Sequence, residues 1–167
     1  MDVPFLAEID ALNASGVDFV TVGGVAVILH GHGRNTLDLD IIVRFDRRNV
    51  HALVSCLRGM GYHPKTPVDP ELLADENARR DWKSRNMVAL AFFNRDRPYV
   101  IIDVFIDHPI DYDELVKQAV TKKGEDGRSV RICSIQHLIQ LKTDASRPKD
   151  LLDIEALQII LEESERR

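Results

Sequence analysis

The sequence predicts a single α+β domain, a mixed β-sheet with helices packed against it. Three observations carry this. Helical and β-branched segments alternate through the first sixty residues. A hairpin signal follows, two apolar strands joined by Asn94-Arg95-Asp96-Arg97. The C-terminal third then reads as helices with one more short strand.

The elements follow in order. Residues 4 to 14 place Phe5, Leu6, Ile9 and Leu12 at helical spacing, and Ser15-Gly16 ends that helix. Val17 to Val22 is a β-branched run and predicts a strand. Gly23-Gly24 is a sharp turn, and Val25 to His30 predicts a short buried helix closed near Gly31 and Gly33. Asp38 to Arg44 is a second strand. Asp46 caps a helix from Arg47 to Arg58, with Val50, Leu53, Val54 and Leu57 inward. A short polar helix spans 70 to 83. Met87 to Phe93 and Tyr99 to Ile106 form the hairpin. Asp111 to Val120 is a helix and Arg128 to Cys133 a short strand. Ser134 caps a helix to Ala145, and a last helix starts at Arg147. The domain thus divides into a core, 17–133, and C-terminal helices, 134–164, within 1–167.

Composition narrows the function classes. The chain has 167 residues, 44% hydrophobic and 29% charged, as expected of a water-soluble globular domain. No apolar run reaches membrane-spanning length, so no membrane partner is expected. MDVPFLAEIDALN carries acids where a signal peptide carries a basic segment. Cys56 and Cys133 form no CxxC and read as reduced thiols, which points to the cytoplasm. A net charge of −5 argues against broad nucleic-acid binding.

The chemistry concentrates in two acids. Asp is a poor strand former, yet Asp38 and Asp40 share a strand, separated by Leu39. Two positions apart, they face the same way, about 7 Å apart. Leu37, Leu39 and Ile41 are expected on the opposite, buried face. Asp103 interrupts a third apolar strand, Tyr99-Val100-Ile101-Ile102-Asp103-Val104-Phe105. If those strands pair, three carboxylates converge. Such a cluster is protonated, solvated or metal-bound. An oxygen-only set suits Mg²⁺, and two such ions would activate a hydroxyl and stabilise a leaving pyrophosphate. Alone, D-x-D reads first as the polar face of a half-buried sheet. The turn at Gly23-Gly24 adds free backbone N–H groups suited to phosphate.

Strand, Gly-Gly, short helix, then [DE]-h-[DE] and a distant Asp on a strand resembles the nucleotidyltransferase superfamily of polymerase-β-like fold. Arg34-Asn35-Thr36-Leu37-Asp38-Leu39-Asp40 looks like the R-x-T-x-D-x-D form of small prokaryotic members, including the nucleotidyltransferase-like toxins of type IV abortive-infection systems. SIQHLIQLKTDASRPKDLLDIEAL is similar to the Lys helix and R-x-K-D-x-x-D-I ending of those proteins. The resemblance implies the nucleotidyltransferase fold and transfer of an NMP from an NTP. It implies that Asp38 and Asp40 bind metal, that Asp103 is third ligand and base, and that Gly23 and Gly24 hold the phosphates. The acceptor stays open among an RNA 3′ end such as tRNA, a protein and a small molecule. A homodimer and an antitoxin partner also stay open, as does a silent member that binds without turnover.

Other residues carry two readings each. Lys142 either approaches the triphosphate, as in the related toxins, or is a solvated lysine at a helix end. Arg34 and Thr36 either contact phosphate or serve the turn. Asp150 and Asp153 are expected to pair with Arg147 and Lys149. ARRDWKSR, 78–85, either steers an acidic acceptor or stacks a base, or, the preferred reading, is a solvated helix face with one buried aromatic. His30 and His32 lack further ligands for zinc and read as a loop beside the nucleotide. A haloacid-dehalogenase phosphatase would need an apolar strand before Asp38, where Gly33-Arg34-Asn35-Thr36 stands. A dinucleotide site would need a third glycine after Gly31-x-Gly33.

Overall fold

A computed structural model describes residues 5–124 and 126–166. Its elements are α1 (Leu6–Ala14), β1 (Phe19–Thr21), α2 (Gly23–His30), β2 (Asp38–Val43), α3 (Arg47–Gly59), β3 (Tyr62–Pro64), α4 (Glu76–Ser84), β4 (Ala89–Asn94), β5 (Ile101–Phe105), α5 (Tyr112–Lys117), β6 (Val120–Lys123), β7 (Ser129–Ile132), α6 (Ile135–Ala145) and α7 (Leu151–Glu165). Short 3₁₀ turns cover Pro70–Ala74 and Pro148–Asp150. Pro4, where the sequence places the start of the first helix, lies outside the described residues, as do the other ends of the 1–167 span and Glu125.

The seven strands form one mixed sheet in the order β3-β4-β5-β2-β1-β7-β6. β2 lies at its centre, antiparallel to β1 and parallel to β5. A parallel neighbour needs a long crossover, and here the chain between β2 and β5 supplies it, including α3 and α4. The expected hairpin is present: β4 and β5 pair antiparallel, Ala91 opposite Asp103. Leu39 and Ile41 of β2 and Ile102 and Val104 of β5 are buried, while Asp38, Asp40 and Asp103 alternate with them. That alternation sends the acids to one face and the apolar side chains to the other.

Capping follows the sequence closely. The Asp46 carboxylate accepts from the Asn49 N–H at 2.9 Å, and the Ser134 hydroxyl accepts from the His137 N–H. Asp75 accepts from the N–H groups of Asn77 and Ala78. It thereby splits the helix expected over 70–83 into a 3₁₀ turn and α4. Two strands escaped the sequence reading. β3 ends in Pro64 and β6 is Val-Thr-Lys-Lys, and each is an outermost strand. Proline and lysine are what sheet edges carry to discourage further pairing, and they mask the strand signal. Val120 accordingly opens β6 and does not end the helix expected over 111–120. The last helix likewise begins at Leu151 and not at Arg147, because Pro148 starts a 3₁₀ turn.

Leu37 is a further correction. It was expected on the buried face with Leu39 and Ile41 but is 71% exposed. It precedes β2, so the strand's alternation does not reach it.

Charge ties the sheet's far side together. Asp18 accepts from Arg44 Nε and from the Tyr112 hydroxyl, both at 2.9 Å, and pairs with Arg131. These donors outweigh its partial burial and hold its carboxyl below the ordinary value.

Candidate active site

The site begins with strand register. β2 and β5 run side by side with Asp40 directly opposite Asp103 and Asp38 opposite Ile101. Paired residues of neighbouring strands point to the same face, about 4.8 Å apart. All three acids therefore share one small area of sheet. The electrostatic cost is visible in their acidities. Burial, then repulsion from Asp103 and Asp38, pushes Asp40 up to about 6. Burial and the charge of Asp38 likewise raise Asp103, opposed by Lys65 and Lys149.

The two glycines make room for this arrangement. Gly23 has φ +60°, and a Cβ there would stand 2.6 Å from Asp40 Cγ and overlap the carboxylate. A Cβ on Gly24 would stand 2.5 Å from Thr36 Oγ1 and 3.6 Å from Arg34 Cζ. The Gly24 N–H also eases the charge on Asp40. The glycines thus seat Asp40 against the opening of α2. Thr36 donates its hydroxyl to the Asp38 carbonyl at 3.3 Å, which is the turn role considered for it.

Asp40 and Gly23 line a cleft of about 790 Å³. Its walls are mostly apolar, with Ile42 and Phe105 from the sheet and Leu138 and Leu141 from α6. Lys142 and Arg147 stand at the same cleft. Asp38 and Asp103 do not line it; the acid face and the cleft meet at Asp40.

Lys142 overturns one expectation. It is not a solvated lysine but is 4% exposed, with Nζ donating to Asp150 Oδ1 at 2.9 Å and Asp153 Oδ2 at 2.8 Å. Asp150 also accepts from Arg147 Nε at 2.6 Å, as expected. Asp153 pairs with Arg34, not with Lys149. The R-x-K-D-x-x-D run was legible in the sequence; its link to Arg34, across more than a hundred residues, was not. Lys65, which with Lys149 acts on Asp103 through charge, carried no motif.

The remaining candidates take ordinary places. Trp82 is buried in α4, while Arg80 and Arg85 pair with Glu76 and Asp81 one turn away. His30 ends α2 and donates Nε2–H to the Cys133 carbonyl at 2.8 Å, with burial holding the ring below its ordinary pKa. Cys133 is buried and its thiol is pushed up to about 12; Cys56 is half-buried and free. Asp38 opens β2 and does not follow a strand, so the phosphatase nucleophile loop is absent. Gly31 follows α2, which leaves no strand–Gly-rich-loop–helix unit for a dinucleotide at that run. Among the described residues no helix is long and apolar enough to cross a membrane.

A mixed sheet, an opening glycine pair and three acids on neighbouring strands define a class, and the chain has the nucleotidyltransferase fold. It superposes on the lincosamide antibiotic adenylyltransferase LnuA bound to lincomycin at TM-score 0.60 and 17% identity, over 96% of this chain and 98% of that one. It matches ANT(2″)-Ia in complex with adenylyl-2″-tobramycin at TM-score 0.58 and 16% identity, over 93% and 88%. An antigenic nucleotidyltransferase-like protein from Paracoccidioides brasiliensis matches at 0.55 and 18%, over 91% and 72%. No protein-family model and no curated protein sequence matches the chain. These likenesses give no support to the toxin resemblance, nor to an RNA, protein or antitoxin partner.

Proposed function

We propose that this protein moves a nucleoside monophosphate from an NTP to a hydroxyl of a small molecule and releases pyrophosphate. One observation carries the reading: Asp38, Asp40 and Asp103 stand in register on one sheet face, at the edge of a mostly apolar cleft.

The donor set suits a divalent cation. It is all oxygen, and Asp40 is raised because burial and two neighbouring carboxylates disfavour its charge, a conflict that a cation relieves. Among the described residues no three acid, His or Cys side chains already enclose a metal position, and Asp40 rests against Gly23. Asp38, Asp40 and Asp103 would hold Mg²⁺, which, when bound, supplies positive charge to the phosphates and the leaving pyrophosphate.

The chain's own groups do the rest. The Gly23 N–H at the opening of α2 receives a phosphate oxygen, while the Gly24 N–H stays on the Asp40 carboxylate and the Gly24 backbone lets the phosphates approach. Arg147 and Lys142 add positive charge at the cleft. Asp103, opposite Asp40 on the same sheet face, takes the proton from the acceptor hydroxyl. The freed oxygen bonds to the α-phosphorus as the bond from that phosphorus to the pyrophosphate oxygen breaks.

A small acceptor fits better than RNA. The cleft carries only a small surplus of positive charge: Lys83 pairs with Asp107, and Lys142 and Arg147 share Asp150 and Asp153. A nucleic-acid backbone demands a surplus of cations, whereas an apolar cleft of this size suits a compact organic molecule. The solved structures of similar fold include one that holds lincomycin and one that holds adenylyl-tobramycin.

The test uses α-labelled NTPs, Mg²⁺ and a panel of hydroxyl compounds, amphipathic and polycationic, with tRNA alongside. Label is expected on a small compound, only with Mg²⁺, and Asp103→Asn should abolish transfer while nucleotide binding persists. Absence of Mg²⁺-dependent nucleotide binding would refute the proposal.

A further inference from the structure

Five charged side chains from separated stretches of chain meet beside the opening of α2. Asp150 and Asp153 are 2% and 4% exposed, and each joins two cations. Asp150 binds Lys142 and Arg147. Asp153 binds Lys142 and Arg34. All three cations stand beside the candidate phosphate site. Arg34 Cζ would lie 3.6 Å from a Cβ on Gly24, and Lys142 and Arg147 line the cleft with Gly23 and Asp40.

We propose that Asp150 and Asp153 are positioning residues for the nucleotide, orienting Lys142, Arg147 and Arg34 so that an incoming triphosphate meets cations already in place. This rests on the nucleotidyltransferase reading above. Three cations against two carboxylates leave one net positive charge. Lys142 has three N–H donors, and its two carboxylate partners use two. The third is left for a ligand. Arg147 is half-exposed and already acts on Asp40 through charge.

A buried ion cluster is a poor way to gain stability, since apolar packing of the same volume often does as well. Its value lies in orientation. A lysine or arginine free to swing must be ordered when phosphate binds, and each immobilised long side chain costs about 0.5–1.5 kcal/mol at that moment. Fixing three cations beforehand removes that cost from binding. The device also makes the nucleotide site depend on the start of α7, although no residue of α7 lines the cleft.

The experiment measures binding of each of the four Mg·NTPs by calorimetry on the whole chain, with melting temperature in parallel. Asp153→Asn is expected to weaken binding about 10- to 100-fold, the range seen when a group that orients a ligating side chain is removed. Glu8→Gln is the control. It breaks another buried ion pair, to Arg97, that does not line the cleft. It should lower the melting temperature and leave nucleotide affinity within about twofold, as expected for distant, independent sites. Asp150→Asn repeats the test if Asp153→Asn does not fold. If wild type binds nucleotide and the aspartate variant binds equally well, the positioning role is overturned while the function stands. If wild type binds none of the four nucleotides, the functional reading falls, and this inference with it.

Discussion

Asp40→Asn offers a test in which stability and function move in opposite directions. The Asp40 carboxyl is pushed up to about 6 from an ordinary 3.8. At neutral pH the folded chain therefore holds a charge that it disfavours relative to the unfolded chain. One pH unit of displacement corresponds to about 1.4 kcal/mol, so the penalty at pH 7 is about 3 kcal/mol. The sign follows from proton binding. Between 3.8 and about 6 the folded state binds more protons than the unfolded state, so Asp40's contribution to stability falls as pH rises through that window. Asparagine keeps the shape and removes the charge. The variant is expected to be about 2–3 kcal/mol more stable at pH 7, or about 4–12 °C in melting temperature for a chain of this size. The advantage should vanish near pH 4. Stability from Asp18 and Asp150, whose carboxyls are held low by cationic partners, is lost on acidification in both proteins and cancels, so the difference between the two melts reports Asp40 and the carboxylates coupled to it. Adding Mg²⁺ should raise the wild-type melting temperature more than the variant's, and transfer should be lost. Urea melts of both proteins from pH 4 to 8 measure this. A variant no more stable than wild type at pH 7, or an advantage independent of pH, would refute the electrostatic account of the site.

Other perturbations separate the site from its scaffold. Gly23→Ala forces a Cβ into the Asp40 carboxylate at φ +60°; left-handed backbone alone costs about 1–2 kcal/mol. The variant should lose at least that in a denaturant melt and lose nucleotide transfer, and an unchanged protein would show that Asp40 does not need this seat. Glu8→Gln breaks a fully buried carboxylate's links to Arg97 and to the Tyr62 hydroxyl at 3.0 Å. It should cost about 1–3 kcal/mol, read by the same melt. Asp46→Ala removes the cap of α3 and should cost about 1 kcal/mol without changing nucleotide affinity, which binding calorimetry checks.

Short-range physics explains what was legible. Val17 to Val22, the Gly-Gly turn and the alternation across Asp38–Ile41 are local signals, and each marks its element within a few residues. Asp46 and Ser134 were legible as caps because a cap bonds to the N–H three residues on. Asp103 stood out because an acid inside an apolar strand is locally anomalous. Leu37 misled because alternation was extended one residue before the strand began. β3 and β6 were missed because edge strands carry residues chosen against pairing. Lys142 was placed between solvent and phosphate, since nothing local reveals that α7 returns two carboxylates to it.

The sequence by itself determined the fold class, the two-residue spacing of Asp38 and Asp40, and the glycines that open α2, because these depend on backbone geometry over a few residues. Only the tertiary structure decided that Asp40 faces Asp103 across a parallel pair, that Gly23 leaves room for a carboxylate, and that Asp150 and Asp153 hold cations from three segments. Those are encounters between distant stretches of chain, set by how the sheet orders its strands, and no local pattern encodes them.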